Sequence, residues 1–113
     1  MADQCEWPAR LRGSLNARLH WRARAKICKA ERATAALLCG ARMSRPAFPC
    51  VVTLTRIGPR QLDDDNVATA FKAVRDGVAD WLRVDDGDTS KVTWRYAQER
   101  GAYGVRVEVE HVA

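Results

Sequence analysis

Residues 63–86 read DDDNVATAFKAVRDGVADWLRVDD, and this stretch decides how the rest of the chain is organised. Val67, Phe71, Val74, Val78 and Trp81 recur at spacings of three and four, which predicts a helix from about Asp65 or Asn66 to Leu82 with one apolar stripe. Asp65, Thr69, Lys72 and Asp76 form a second stripe, which is polar. Asp65 and Val67 stand about 200° apart around a helix, so the two stripes face opposite ways. Carboxylates crowd both ends: Asp63, Asp64 and Asp65 at the entry, Asp85 and Asp86 at the exit. A helix of about 17 residues is about 25 Å long. A site shared by its two ends therefore needs a break near Gly77, a return of the chain, or a contribution from elsewhere in the fold or from a second copy.

Upstream, Cys50 to Ile57 is rich in β-branched residues and predicts a strand, broken by Gly58-Pro59. Before it, the chain reads as helix from about Leu19 to Leu38, with Ala23, Ile27, Ala30, Thr34 and Leu37 as its apolar stripe and Gly40 as its stop. Residues 9–13 are expected to form a short strand, with Ser14 and Asn16 as turn or cap residues after it. Downstream, Val84 to Asp88 reads as a turn, and Lys91 to Gln98 as a strand with Val92, Trp94 and Tyr96 on one face. Glu99 to Ala102 reads as a hairpin connection into a return strand from Tyr103 to Val109. The order β-α-β-α-β-β predicts one α+β domain, a mixed sheet with helices packed on one face. A chain of 113 residues suits a single domain, and its core is shallow enough to make oligomerisation a natural source of further buried area.

Net charge is +5, and its distribution is uneven. Residues 1–50 hold ten Lys and Arg against three acids, whereas residues 61–90 hold eight acids against three Lys and Arg. A basic arm attracts phosphate backbones. An acidic cluster repels them unless a divalent cation sits in it, so the combination points to a polyanion-binding protein with a metal centre. The competing reading is solvated surface charge on both segments. Cys5, Cys28, Cys39 and Cys50 lack the close spacing of a zinc site and read as thiols in a reducing compartment. No apolar run approaches the roughly 18 residues that span a bilayer, and the first residues lack the apolar core of a signal peptide. A cytoplasmic protein that does not engage membranes is expected.

Hard cations such as Mg²⁺ take oxygen ligands, typically one or two carboxylates with waters and substrate phosphate. In an extended entry, Asp63 and Asp65 would point to one side. Lys72, two turns along the helix from Asp65, could stabilise charge on a phosphate. Capping and turn chemistry is the alternative use for both acidic stretches.

Together these residues resemble the RusA family of Holliday-junction resolvases, often carried by bacteriophages. Its pattern of Asp-x-Asp-Asn, a helical Lys, an Asp and a closing Asp-Asp pair is similar to Asp63-Asp64-Asp65-Asn66, Lys72, Asp76 and Asp85-Asp86 here. Ser14-Leu15-Asn16, followed by His20-Trp21-Arg22, resembles the family's N-terminal Ser-x-Asn segment. The resemblance covers about residues 10–98. It implies a homodimeric nuclease that uses Mg²⁺, or Mn²⁺, to resolve four-way DNA junctions by paired nicks. By motif position Asp63, Asp65 and Asp86 would be the essential carboxylates, Asp85 a supporting metal ligand and Lys72 the phosphate-facing lysine. Arg22, Lys26, Lys29 and Arg32, with Arg56 and Arg60, would hold DNA phosphates. One departure is visible: Lys72 follows Asp65 after seven residues where the family pattern has four, which moves it about 4.5 Å along a helix axis. A non-catalytic nucleic-acid-binding or assembly module on the same scaffold is the alternative function.

Overall fold

The computed structural model describes residues 3–13, 18, 20–85 and 87–112. The chain runs β1 (Asp3–Trp7), α1 (Trp21–Arg42), β2 (Cys50–Gly58), α2 (Asp64–Ala70), α3 (Lys72–Leu82), β3 (Val92–Arg100) and β4 (Gly104–His111). The expected α+β class and the mixed sheet are both present. The four strands lie in the order β1-β4-β2-β3, with β2 parallel to β3 and antiparallel to β4. Parallel neighbours need a long crossover, and α2 and α3 supply it between β2 and β3.

Side chains alternate across the sheet. Val52, Leu54, Val105, Val107 and Val109 are buried on the inner face, joined by Val92 of β3 and by Cys5 and Trp7 of β1. The helices cover that face. Val67, Phe71, Val74 and Val78 are all buried against it, as their spacing predicts, and Trp81 is half-buried at its margin. The outer face stays polar, with Arg106 bridging Glu6 (2.8 Å) and Glu99 (2.7 Å).

Four features differ from the sequence reading. The first strand is Asp3–Trp7 rather than residues 9–13; Pro8 cannot donate to a continuing ladder, and the irregular segment after it lays Ala9 and Leu11 on the core instead. Its strand pairs with the C-terminal strand β4, Cys5 opposite Val107.

The second difference concerns α1. It begins after His20, whose Nδ1 accepts the Arg22 backbone N–H (3.2 Å), and it runs through Gly40 to Arg42. Ser14, Asn16 and Leu19 lie outside the described residues. The stripe Ala23, Ala30, Thr34 and Leu37 faces outward, with Leu37 70% exposed and Ile27 half-buried. The side that α1 buries carries Ala35 and Cys39. The physical reason is the partner. α3 presents Gly77, where a Cβ would run into the Arg32 carbonyl oxygen and come within 2.9 Å of the Ala35 Cβ. Backbones this close select small residues, so the buried side of α1 is the less hydrophobic one.

Third, the predicted single helix is divided at Phe71 (φ −87°, ψ 0°), not at Gly77. Gly77 serves the helix contact instead. Fourth, residues 101–103 are not a hairpin turn between paired neighbours. They carry the chain across the end of β2, so that β3 and β4 flank it on opposite sides. Crossing two strand spacings is about 9.6 Å, within reach of four peptide steps. Gly101 makes the crossing, donating its N–H to the Gly58 carbonyl (3.1 Å) while a Cβ there would sit 3.1 Å from the Ile57 Cγ2.

Candidate nucleic-acid and cation site

The acidic entry is fixed from behind. Leu62 donates its N–H to the Gln98 Oε1 (2.8 Å) and accepts from the Gln98 Nε2 at its carbonyl (2.7 Å), which ties the segment to β3. Asp63 then adopts an extended conformation (φ −63°, ψ 152°), and its carbonyl accepts the N–H groups of Asn66 (2.9 Å) and Val67 (3.0 Å). The helix starts at Asp64, slightly earlier than expected. Asp63, Asp64, Asp65 and Asn66 are all exposed. The Asp63 side chain makes no cap hydrogen bond, so the capping role that usually explains such a residue is not used here. Thr69 returns its hydroxyl to the Asp65 carbonyl (2.9 Å).

The exit is built differently. The Asp85 carboxylate accepts the Gly87 N–H (3.0 Å), and its carbonyl accepts the Asp88 N–H (2.9 Å). Asp88 takes the Ser90 N–H and hydroxyl, which hold its carboxyl below the usual range. Asp85 and Asp88 are thus engaged in turn chemistry. Asp86 lies outside the described residues. The two acidic stretches are anchored at opposite ends of β3, one through Leu62 at Gln98 and the other through the Asp88 carbonyl at Val92. Six residues of strand separate these anchors by about 20 Å. Among the described residues no three His, Cys, Asp or Glu side chains converge as a cation site. Burial, with the Cys5 thiol beside it, pushes the Cys39 thiol up to about 12, away from the thiolate that would bind a metal.

Lys72 opens α3 and turns toward α1. Its ammonium stands 4.0 Å from Asp76 and, with Lys29 and Arg32, lines a cleft of about 230 Å³ between the two helices. Arg32 is committed to a two-pronged bond with Asp80 (2.7 and 2.9 Å), and that bond lowers the Asp80 carboxyl below its ordinary value. Arg22 and Lys26 are exposed further up α1, and the Arg22 guanidinium lies 5.2 Å from the Trp21 ring centre. Arg60 is exposed, and its carbonyl accepts a bond from Arg56 (2.7 Å). Of the six cations named from the sequence, four follow α1, Arg56 lies in β2 and Arg60 just after it.

Sequence reasoning missed a cationic feature beside the acidic entry. Leu62 lines a cavity of about 540 Å³ that it shares with Arg10, Arg12, Arg18 and Arg56. Arg10 and Arg12 follow β1 on an irregular segment, where no periodicity could mark them. Trp94 is half-buried under the Arg75 guanidinium (4.7 Å from its ring centre), and Arg75 also donates to the Tyr96 hydroxyl (2.9 Å). These aromatic rings support α3 rather than presenting a stacking platform.

No family model and no curated protein matches this chain. Among the described residues no helix is long and apolar enough to cross a membrane.

Proposed function

We propose that the protein is a cation-dependent endonuclease acting on branched DNA, of the kind represented by RusA-type junction resolvases. The observation that carries this reading is the state of the acidic entry. Asp63 and Asp65 are exposed, the Asp63 carboxylate is spent on no cap, and the Leu62 beside them borders an arginine-walled cavity. Exposed carboxylates next to phosphate-attracting cations are unfavourable for polyanion binding unless a divalent ion neutralises them.

The donor set fits such an ion in kind: hard carboxylate oxygens on two exposed residues at one helix entry, open to water and substrate. Asp63 and Asp65 would hold Mg²⁺ or Mn²⁺, with the Asp85-Asp86 pair contributed by a second subunit. When bound, the ion would activate a water and offset charge developing at phosphorus. The chain's own groups orient the strand. Lys72 and Lys29 attract phosphate at the α1–α3 cleft, and the Gln98 clamp on Leu62 fixes where the carboxylates stand. A two-fold dimer suits a four-way junction, since it presents two like sites to symmetric strands. The outward apolar residues of α1, Leu37 above all, are consistent with such a partner.

A non-catalytic binding module is favoured by one observation, the separate anchoring of the two acidic stretches along β3. Incubation with synthetic four-way junctions and Mg²⁺ decides between them. The nuclease reading expects paired nicks that disappear in Asp65→Asn while junction binding persists. Binding without cleavage in Mg²⁺ and Mn²⁺ alike supports the module.

A further inference from the structure

The cavity beside the acidic entry has a composition that needs a ligand to explain it. Arg10 and Arg12 come from the segment after β1, Arg56 from the end of β2, and Arg18 from the stretch before α1. Among the described residues no acidic side chain lines it. Two of the guanidinium groups are oriented without being neutralised. Arg10 lies over the Tyr103 ring at 4.9 Å, and Arg56 donates to the Arg60 carbonyl at 2.7 Å. An aromatic face and a carbonyl each fix a direction while leaving the positive charge in place. The segment bearing Arg10 and Arg12 is itself held down. Glu31 of α1 accepts the Arg12 N–H (3.0 Å) and the Gly13 N–H (3.3 Å), and its charge also attracts the Arg12 guanidinium. Arg10, Arg12 and Arg56 bring like charge to one cavity, and a multiply charged anion relieves their repulsion.

Guanidinium groups match phosphate oxygens in two-pronged geometry. The rest of the wall is apolar or aromatic, from Leu11, Ile57, Leu62 and Tyr103. A bare inorganic anion would leave that surface unused. A volume near 540 Å³ falls in the range of small-molecule sites, which is about 300–1,000 Å³.

We infer that this cavity binds the phosphate group of a nucleotide unit, with Arg10, Arg12 and Arg56 on the phosphate and the apolar wall with Tyr103 against the attached sugar and base. The phosphate has two possible sources, a diester within a strand or a monoester at its end. The inference rests on the nucleic-acid reading only for where the nucleotide comes from; binding itself requires no divalent ion.

The test is calorimetric titration of the full chain in EDTA with thymidine, thymidine 5′-monophosphate and the dinucleoside phosphate TpT, repeated on Arg10→Ala/Arg12→Ala and on Asp63→Asn/Asp65→Asn. The monophosphate is expected to bind at least tenfold more tightly than thymidine. The arginine double variant should lose at least tenfold, and Arg10→Lys/Arg12→Lys should recover part of it. The aspartate variant should bind the monophosphate at least as tightly as the wild type does, since two nearby negative charges are removed, even where nicking is abolished, which separates this site from the proposed catalytic one. Tight binding of TpT assigns the cavity to a strand interior, and binding of the monoester alone assigns it to a strand end. Equal affinity for thymidine and its monophosphate in the wild-type protein overturns the inference, whether or not the variants fold. Unchanged monophosphate binding in a folded arginine double variant does so too.

Discussion

Replacing Gly77 by alanine tests the helix contact that sets the α1–α3 cleft. On intrinsic propensity the change should help, because alanine is favoured over glycine within a helix by about 1 kcal/mol. Packing opposes it. The new Cβ would run into the Arg32 carbonyl oxygen and approach the Ala35 Cβ to 2.9 Å. Neither obstacle is the end of a flexible side chain, so no rotamer change relieves the overlap and the helices must separate. Overpacking of this kind costs about 1–3 kcal/mol, and a gap of 0.5–1 Å forfeits about a quarter to a half of each dispersion contact. The steric cost should outweigh the propensity gain and leave a net loss of about 1–2 kcal/mol. For a chain of this length that corresponds to a melting temperature lower by about 4–8 °C.

Gly40 provides the control. It too is a helical glycine, in α1, but a Cβ there would meet Trp81 Cδ1 at 3.5 Å, an ordinary contact. Gly40→Ala is therefore expected to raise stability by up to about 1 kcal/mol. Thermal melts followed by circular dichroism measure both. Opposite signs for the same substitution are predicted; a Gly77→Ala protein as stable as the wild type would refute the close-packing argument.

Gln98→Leu removes both bonds to the Leu62 backbone and leaves a half-buried N–H and C=O without their partner, a loss of about 1–3 kcal/mol. Hydrogen exchange should show faster opening at Leu62 and the acidic entry than in β4. Asp80→Asn breaks the bond with Arg32, and both side chains are about half exposed, so solvent screening limits the loss to under about 1 kcal/mol. Because the Asp80 carboxyl is lowered in the folded state, its contribution is present above the ordinary value of 3.8 and fades as pH falls through the lowered one. Urea midpoints for wild type and Asp80→Asn should differ at pH 7 and converge in strong acid.

The α2–α3 stretch was legible because its apolar residues are large and its periodicity is clean: Val67, Phe71, Val74 and Val78 are buried as their spacing implies. The same rule misplaced the core side of α1. Close approach to Gly77 selects Ala35 and Cys39, which carry little hydrophobic signal, while Leu37 stays outside. Alternation located β3 and β4 but not their neighbours, since two edges of β2 were open and alternation does not say which strand takes which. At the candidate site, the exposed carboxylates at Asp63 and Asp65 were readable from the sequence. Arg10, Arg12 and Arg18 were not, because they reach the cavity through the fold and not through any local pattern. Gln98 was equally silent, its role arising from a contact 36 residues away with Leu62.

Whether the entry to α2 holds a divalent cation can be read from paramagnetic broadening of amide signals by Mn²⁺. A cation held there gives selective loss of the Asp63–Asn66 signals at low Mn²⁺, reversed by excess Mg²⁺ and absent in Asp63→Asn/Asp65→Asn. Broadening that is uniform over the surface, or that persists unchanged in the double variant, would contradict it.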